Sequence, residues 1–190
     1  KVTGNVALSF SGRTYANFEL DVPGVTLTAT GSGAVSLDHL TLTNGTLNFN
    51  VTGNPGHSIK GNIHAAPGTS LVFNPASSGT VRLSGTVNQV ISGSGTITSG
   101  THSILEIANG NGITLSTSLT LDGGLKLTQG TMVLGSGDLI LGVLSQVSGN
   151  PSAASMVAFS GTGRFKKRFS VASAFLFPVG DMTGTPEYSP

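Results

Sequence analysis

The chain has 190 residues, of which 28 are Gly, 24 Ser, 23 Thr and 12 Asn; only 9% are charged and the net charge is +1. An average soluble domain is about 25% charged, and nine Lys plus Arg at a pI near 8.3 leave no electrostatic footprint for nucleic acid. With 37% hydrophobic residues the chain is too apolar to be disordered, it lacks the every-third-residue Gly of collagen, and apolar runs such as residues 174–177 are far short of the roughly 18–20 a membrane helix needs.

Cysteine is absent, so there is neither a disulfide nor a thiolate metal site, and the redox compartment is not written in the chain. The first residue is Lys1, with no basic stretch and apolar core ahead of the first strand pattern. We read this as a processed protein or a segment of a longer one.

Along the chain, helical periodicity is missing and short alternating runs replace it. They include Val25-Thr26-Leu27-Thr28, Leu40-Thr41-Leu42-Thr43, Thr46-Leu47-Asn48-Phe49, Leu119-Thr120-Leu121, Leu125-Lys126-Leu127 and Leu139-Ile140-Leu141, most of them bounded by Gly or Asn-Gly. The pattern predicts about twenty strands. They recur every six to eight residues, closer than the eight to twelve of a sandwich, so the expected fold is all-β: a right-handed parallel β-helix of roughly eight coils of about 20–24 residues. An internal recurrence supports it. Leu37-Asp38-His39-Leu40-Thr41-Leu42-Thr43-Asn44-Gly45-Thr46 returns as Leu121-Asp122-Gly123-Gly124-Leu125-Lys126-Leu127-Thr128-Gln129-Gly130-Thr131, an offset of 85 residues after the turn, which we read as about four coils. Residues 1–155 then form the coils. Residues 156–190 form a terminal coil and exit strand, because five of nine Phe and four of nine basic residues crowd into 159–177.

The chemistry-bearing residues are sparse. His39, His57, His64 and His102 have no metal-ligand spacing and read as exposed turn or groove residues, although His57 and His64 would meet if they lay on adjacent strands. Among the acids, Asp38 and Asp122 take the same place in the recurrence and read as turn openers, while Glu19 and Asp21 share a strand face with no catalytic partner nearby. Gly135-Ser136-Gly137-Asp138 is a lone echo of a calcium-binding repeat. Thr26/Thr28/Thr30, Thr41/Thr43 and Thr96/Thr98 raise ice binding, but they do not recur at a fixed coil spacing. No cofactor, metal or catalytic residue is expected. Arg164, Lys166, Lys167 and Arg168 form a candidate interaction surface, with Lys167 breaking the strand alternation, and Phe165, Phe169, Phe175 and Phe177 are the expected cap of the terminal coil.

The closing residues Phe175-Leu176-Phe177-Pro178-Val179-Gly180-Asp181 and Tyr188-Ser189-Pro190 resemble the "FPVGD … Y.P" junction of large secreted surface proteins of Bacteroidota. There the junction lies between a Gly/Ser/Thr-rich β-helical stretch and an immunoglobulin-like domain. The basic strand at 163–169 and the coils at 119–141 are similar to those proteins as well. The resemblance implies export by the type IX secretion system and a place at the cell surface, as adhesin, stalk or filament. It also implies a longer polypeptide with a next strand at Pro190.

The expectation is therefore a non-enzymatic, extracellular structural or adhesive module, a rigid spacer or fibre element. Its expected partners are copies of itself, neighbouring domains or surface glycans, without membrane insertion. A carbohydrate-binding or polysaccharide-degrading β-helix and an ice-binding solenoid are the alternatives.

Overall fold

The computed structural model describes residues 1–189 and, among them, contains twenty strands and no helix. In chain order these are β1 (Leu8–Ser9), β2 (Thr14–Gly31), β3 (Ser36–Val51), β4 (Gly53–Ile59), β5 (Ile63–Ala65), β6 (Ser70–Phe73), β7 (Gly79–Leu83), β8 (Gln89–Gly93), β9 (Thr96–Ser99) and β10 (Ser103–Ala108). The second half adds β11 (Ile113–Leu115), β12 (Leu119–Leu121), β13 (Gly124–Gln129), β14 (Met132–Leu134), β15 (Leu139–Leu141), β16 (Gln146–Gly149), β17 (Val157–Phe159), β18 (Phe165–Lys167), β19 (Gly180–Asp181) and β20 (Glu187–Tyr188). Every pairing among β1–β18 is parallel, and the chain winds as a β-solenoid of about seven turns. At about 4.8 Å per turn the rod is about 34 Å long.

Three faces make up each turn. Face A carries residues 14–15 of β2, 36–37 of β3, then β4, β7, β10, β13 and β16. Face B carries residues 18–20 and 40–42, then β5, β8, β11, β14 and β17. Face C carries β1, residues 26–31 and 46–51, then β6, β9, β12, β15 and β18.

Alternation along each strand sends every second residue inward, and the parallel register places each inward side chain over its counterpart. On face A the column runs Leu37, Ile59, Leu83, Ile107, Leu127; on face B it runs Phe18, Leu40, Ile63, Ile91, Leu115, Leu134. All of these are buried. Coil length is not constant: Ile113 stacks on Met132, 19 residues on, whereas His64 stacks on Ser92, 28 residues on. The surplus goes into the corners, and the strands stay in register.

The columns correct the reading of the 85-residue recurrence. Leu37 stacks four turns later on Leu127, not on Leu121, which lies on face C. The recurring unit is a strand, a corner and a strand, and it returns one face out of phase because all three faces need the same inward–outward alternation. Asp38 accordingly sits at the A–B corner and Asp122 at the C–A corner.

Glycine lets neighbouring coils touch. At Gly130 the backbone has φ of 84°, and a methyl group would fall on the carbonyl oxygen of Asn109 in the preceding coil. Gly130→Ala is expected to cost at least about 1–3 kcal/mol from the positive φ alone, read as a lowered midpoint of thermal or urea unfolding.

Candidate functional site

The A–B corner holds a groove lined by residues from four successive turns. In the first turns this corner is short: Ala16-Asn17, Asp38-His39, then Lys60-Gly61-Asn62. In the next turn the loop 84–88 is longer, and it completes the lining of a groove of about 450 Å³. Gly61 permits the floor: a methyl group there would collide with the His39 ring and the Asp38 carbonyl. The Asn62 backbone N–H donates to His39 Nδ1 at 3.0 Å, so a neutral His39 carries its proton on Nε2. Asn62 in turn accepts the Val90 N–H on Oδ1 at 2.9 Å, which leaves its NH2 group facing away. Behind this loop lies a buried amide network. Gln89 Nε2 donates to the carbonyls of Ile59 (3.0 Å) and Gly61 (2.7 Å), and its Oε1 accepts from Gly85 N–H (2.8 Å) and Asn109 Nδ2 (3.1 Å). Both buried amides are thereby satisfied, and the corner that carries the groove is rigid.

A second polar feature lies on face A, where Arg82, Glu106 and Lys126 stack in successive turns. Glu106 is 2% exposed although it faces outward, because its neighbours cover it. It accepts from Arg82 Nε at 2.9 Å, Lys126 Nζ at 3.1 Å and Thr128 Oγ1 at 2.7 Å. Burial pushes its carboxyl upward, but the bonds from Thr128, Arg82 and Lys126 together outweigh that and hold it below its ordinary value. Sequence reading passed over this trio; its signal was opposite charge recurring at coil spacing.

Glu19 and Asp21 are also occupied. Lys1 Nζ lies 3.0 Å from Glu19 and 2.8 Å from Asp21, and both carboxyls are held low, first by that lysine and then by Thr43 and Asn44 respectively. The histidines separate. His57 is fully buried, contrary to the exposed role expected for it, with Nε2 donating to the Thr52 carbonyl at 2.9 Å. His64 lies on face B against Ser92 Oγ at 3.1 Å, so adjacent strands do not bring the two together.

The basic run divides. Lys166 points outward and pairs with Asp138, whose carboxyl is lowered chiefly by that lysine. Arg164 and Arg168 are exposed and take part in none of the ion pairs among the described residues. Lys167 occupies an inward position, stacked on Leu141 at the end of the face C column. Its ammonium donates to the carbonyls of Gly142 (2.6 Å), Val143 (2.8 Å) and Ser145 (2.8 Å) and lies 5.5 Å from the Phe175 ring centre and 5.8 Å from that of Phe169. Burial lowers its pKa; carbonyls and rings partly offset that cost. Lys167 is therefore committed to the rod's end, which removes it from the basic surface read from the alternation.

Phe165 ends the neighbouring face C column and meets Phe177 edge-on at 5.1 Å and Phe175 at 6.5 Å, while Phe169 meets Phe175 at 6.4 Å. The closing motif packs back on the last turn and extends face B by one further parallel bridge before ending in a short hairpin. Val157 N–H donates to the Pro178 carbonyl, Val179 bridges to Val157, and Gly180 and Asp181 pair antiparallel with Tyr188 and Glu187. Asp181 then accepts from Thr183 N–H at 2.8 Å and Thr183 Oγ1 at 2.6 Å, closing the turn. Pro190 lies outside the described residues. The opposite end has its own aromatic cluster, not anticipated from sequence: Phe10 packs on Tyr15, Phe18 and Phe49 at 5.4, 5.0 and 5.5 Å, and Phe49 on Phe73 at 5.7 Å.

Comparison with protein-family models, curated proteins and solved structures gave no match.

Glu106→Gln keeps the shape and removes the charge that its neighbours solvate. We expect a loss of about 1.5 kcal/mol, the low end for hydrogen bonds to charged groups because both cations are partly exposed. Since the folded carboxyl lies below its ordinary 4.5, this stability is present above that pH and is lost as pH falls through the folded pKa. Unfolding midpoints of the two proteins should differ at neutral pH and converge in acid.

Proposed function

We propose that the chain is a structural and adhesive module of a bacterial cell-surface protein, a rigid β-solenoid spacer or fibre element working outside the cell. The observation that carries this reading is the stacking of a mainly aliphatic and aromatic buried core through about seven turns, with an aromatic cluster at each end. Such a rod resists bending because any bend opens backbone hydrogen bonds and core contacts together. Its sides carry little charge, which allows neighbouring surfaces to approach. The occupied carboxylates favour a non-enzymatic role: Glu19 and Asp21 sit on one lysine, Glu106 among three donors, Asp138 on Lys166. The place of Pro178, Val179, Gly180 and Asp181 at the end of the coils, where the strand pattern changes from parallel stacking to an antiparallel hairpin, supports the resemblance to the Bacteroidota junction, and with it type IX export. Its partners on this reading are neighbouring domains of the same polypeptide, further copies, and surface glycans. Arg164 and Arg168, beside a Lys166 held by Asp138, are the outward basic residues that the run offers an acidic partner.

Ice binding is the second reading, favoured by one observation. Despite unequal coil lengths, the register brings Thr26, Thr46, Ser70 and Thr96 into one outward column of face C, beside Thr28, Asn48, Val72, Thr98 and Thr120. Thr41 and Thr43 are not part of this array, Thr41 lying on face B. The mixed amide and valine positions make the array uneven, which is why the structural reading leads.

Two measurements decide. Antibodies raised against this chain should label intact producing cells without permeabilisation; labelling that appears only after permeabilisation would overturn the surface assignment. The purified protein should show no thermal hysteresis, and hysteresis abolished by Thr98→Lys would replace the structural reading with the ice-binding one.

A further inference from the structure

We propose that the groove at the A–B corner is a binding site for a neutral oligosaccharide lying along the rod axis; this deepens the adhesive part of the reading above and rests on it. The groove crosses the corners of four successive turns, a run of about 14 Å at about 4.8 Å per turn. Its lining runs along the corners and ends on the longer loop 84–88, so an extended chain following the rod axis would meet each corner in turn.

The groups on its surface are of mixed kind and fixed direction. His39 offers Nε2–H because Nδ1 is taken by the Asn62 backbone, and Asn62 offers its NH2 because Oδ1 is taken by Val90. Neither can rotate away without breaking a bond to the main chain, so both donors are preorganised. Asp38 and Lys60 are exposed in the same groove and take part in none of the ion pairs among the described residues. Between them they supply two acceptor oxygens and up to three donors with no net charge.

That inventory discriminates among ligands. A polyanion would meet Asp38 and find one lysine to oppose it, and a nucleic acid would in addition find no Phe, Tyr or Trp in the groove on which to stack a base. A peptide adding as a strand needs an open sheet edge, whereas the corner lies between faces whose strands are paired with the turns before and after. A sugar hydroxyl both donates and accepts, and suits alternating carboxylate, imidazole N–H, amide and ammonium groups. Val87, 68% exposed on the loop 84–88, is an apolar surface against which the C–H side of a sugar ring can rest. One such shallow site binds weakly; many rods on one surface would bind by avidity.

The test is affinity electrophoresis of the whole chain through gels containing neutral polysaccharides (xylan, mannan, β-glucan, starch) or acidic ones (alginate, polygalacturonate), followed by titration calorimetry with oligosaccharides of any that retards it. Asp38→Ala, Lys60→Ala and Val87→Asp change exposed groups outside the core, and their circular dichroism and melting should match the parent. We expect retardation by at least one neutral polysaccharide, with affinity at least tenfold weaker in Asp38→Ala and Val87→Asp and unchanged in Arg168→Ala at the far end. Retardation by none of the neutral polymers, retardation by acidic polymers alone, or retardation that the groove variants leave unchanged would overturn the site. Those outcomes would leave the spacer reading standing, because it is tested separately by surface labelling.

Discussion

Parallel backbone pairing between successive coils is the constraint on which the rest of this protein depends. Each strand is bonded to the one a turn before and the one a turn after, so a residue's place is set by what lies above and below it. Leu40 has to be followed by something that can sit on it, and it is, by Ile63 and Ile91. Outward positions carry no such demand, which is why Ser, Thr and Asn fill them and why coil length can vary between 19 and 28 residues without disturbing the core. The groove exists because one corner took up that slack.

A column must also stop. At the first end Phe10 is fully buried among aromatic rings. At the other, the inward positions are taken by Phe165, Lys167 and Phe159, the last of them 48% exposed. A lysine is an unexpected choice for a core position until its partners are counted. The corner 142–145 of the preceding turn presents carbonyl groups toward this end, and an ammonium group with three donors reaches three of them. It does for the end of a solenoid what a capping residue does for the end of a helix.

The fold was legible because its demands are local and repeated: alternation shows the inward positions, and Gly with Asn mark the corners. The Phe-rich close was legible for the same reason, as a break in a uniform pattern. What escaped was everything that depends on which turn lies over which. The Glu106 trio is three isolated charges until the register stacks them, and the face C threonines seem irregular until corner insertions are subtracted. His39 reads as a turn residue, and its value to the groove arises from Asn62, a turn away. Lys167 was visible as an anomaly in the alternation, but its direction depends on the carbonyls left by the preceding coil.

The out-of-phase recurrence has a consequence for how the chain reaches this state. If the same strand–corner–strand unit suits any of the three corners, a nascent chain can wind with its later coils rotated by one face and still bury leucine on leucine. Aliphatic columns alone barely distinguish the two windings. What distinguishes them are the unlike contacts: a slip between two turns parts Glu106 from Arg82 or from Lys126, or Gln89 from the Ile59 and Gly61 carbonyls, or Asn109 from that of Val87, according to where it falls, a penalty that aliphatic packing does not recover. The few polar side chains that bridge coils thus act as a proofreading key, selecting one threading from several that the hydrophobic pattern would tolerate.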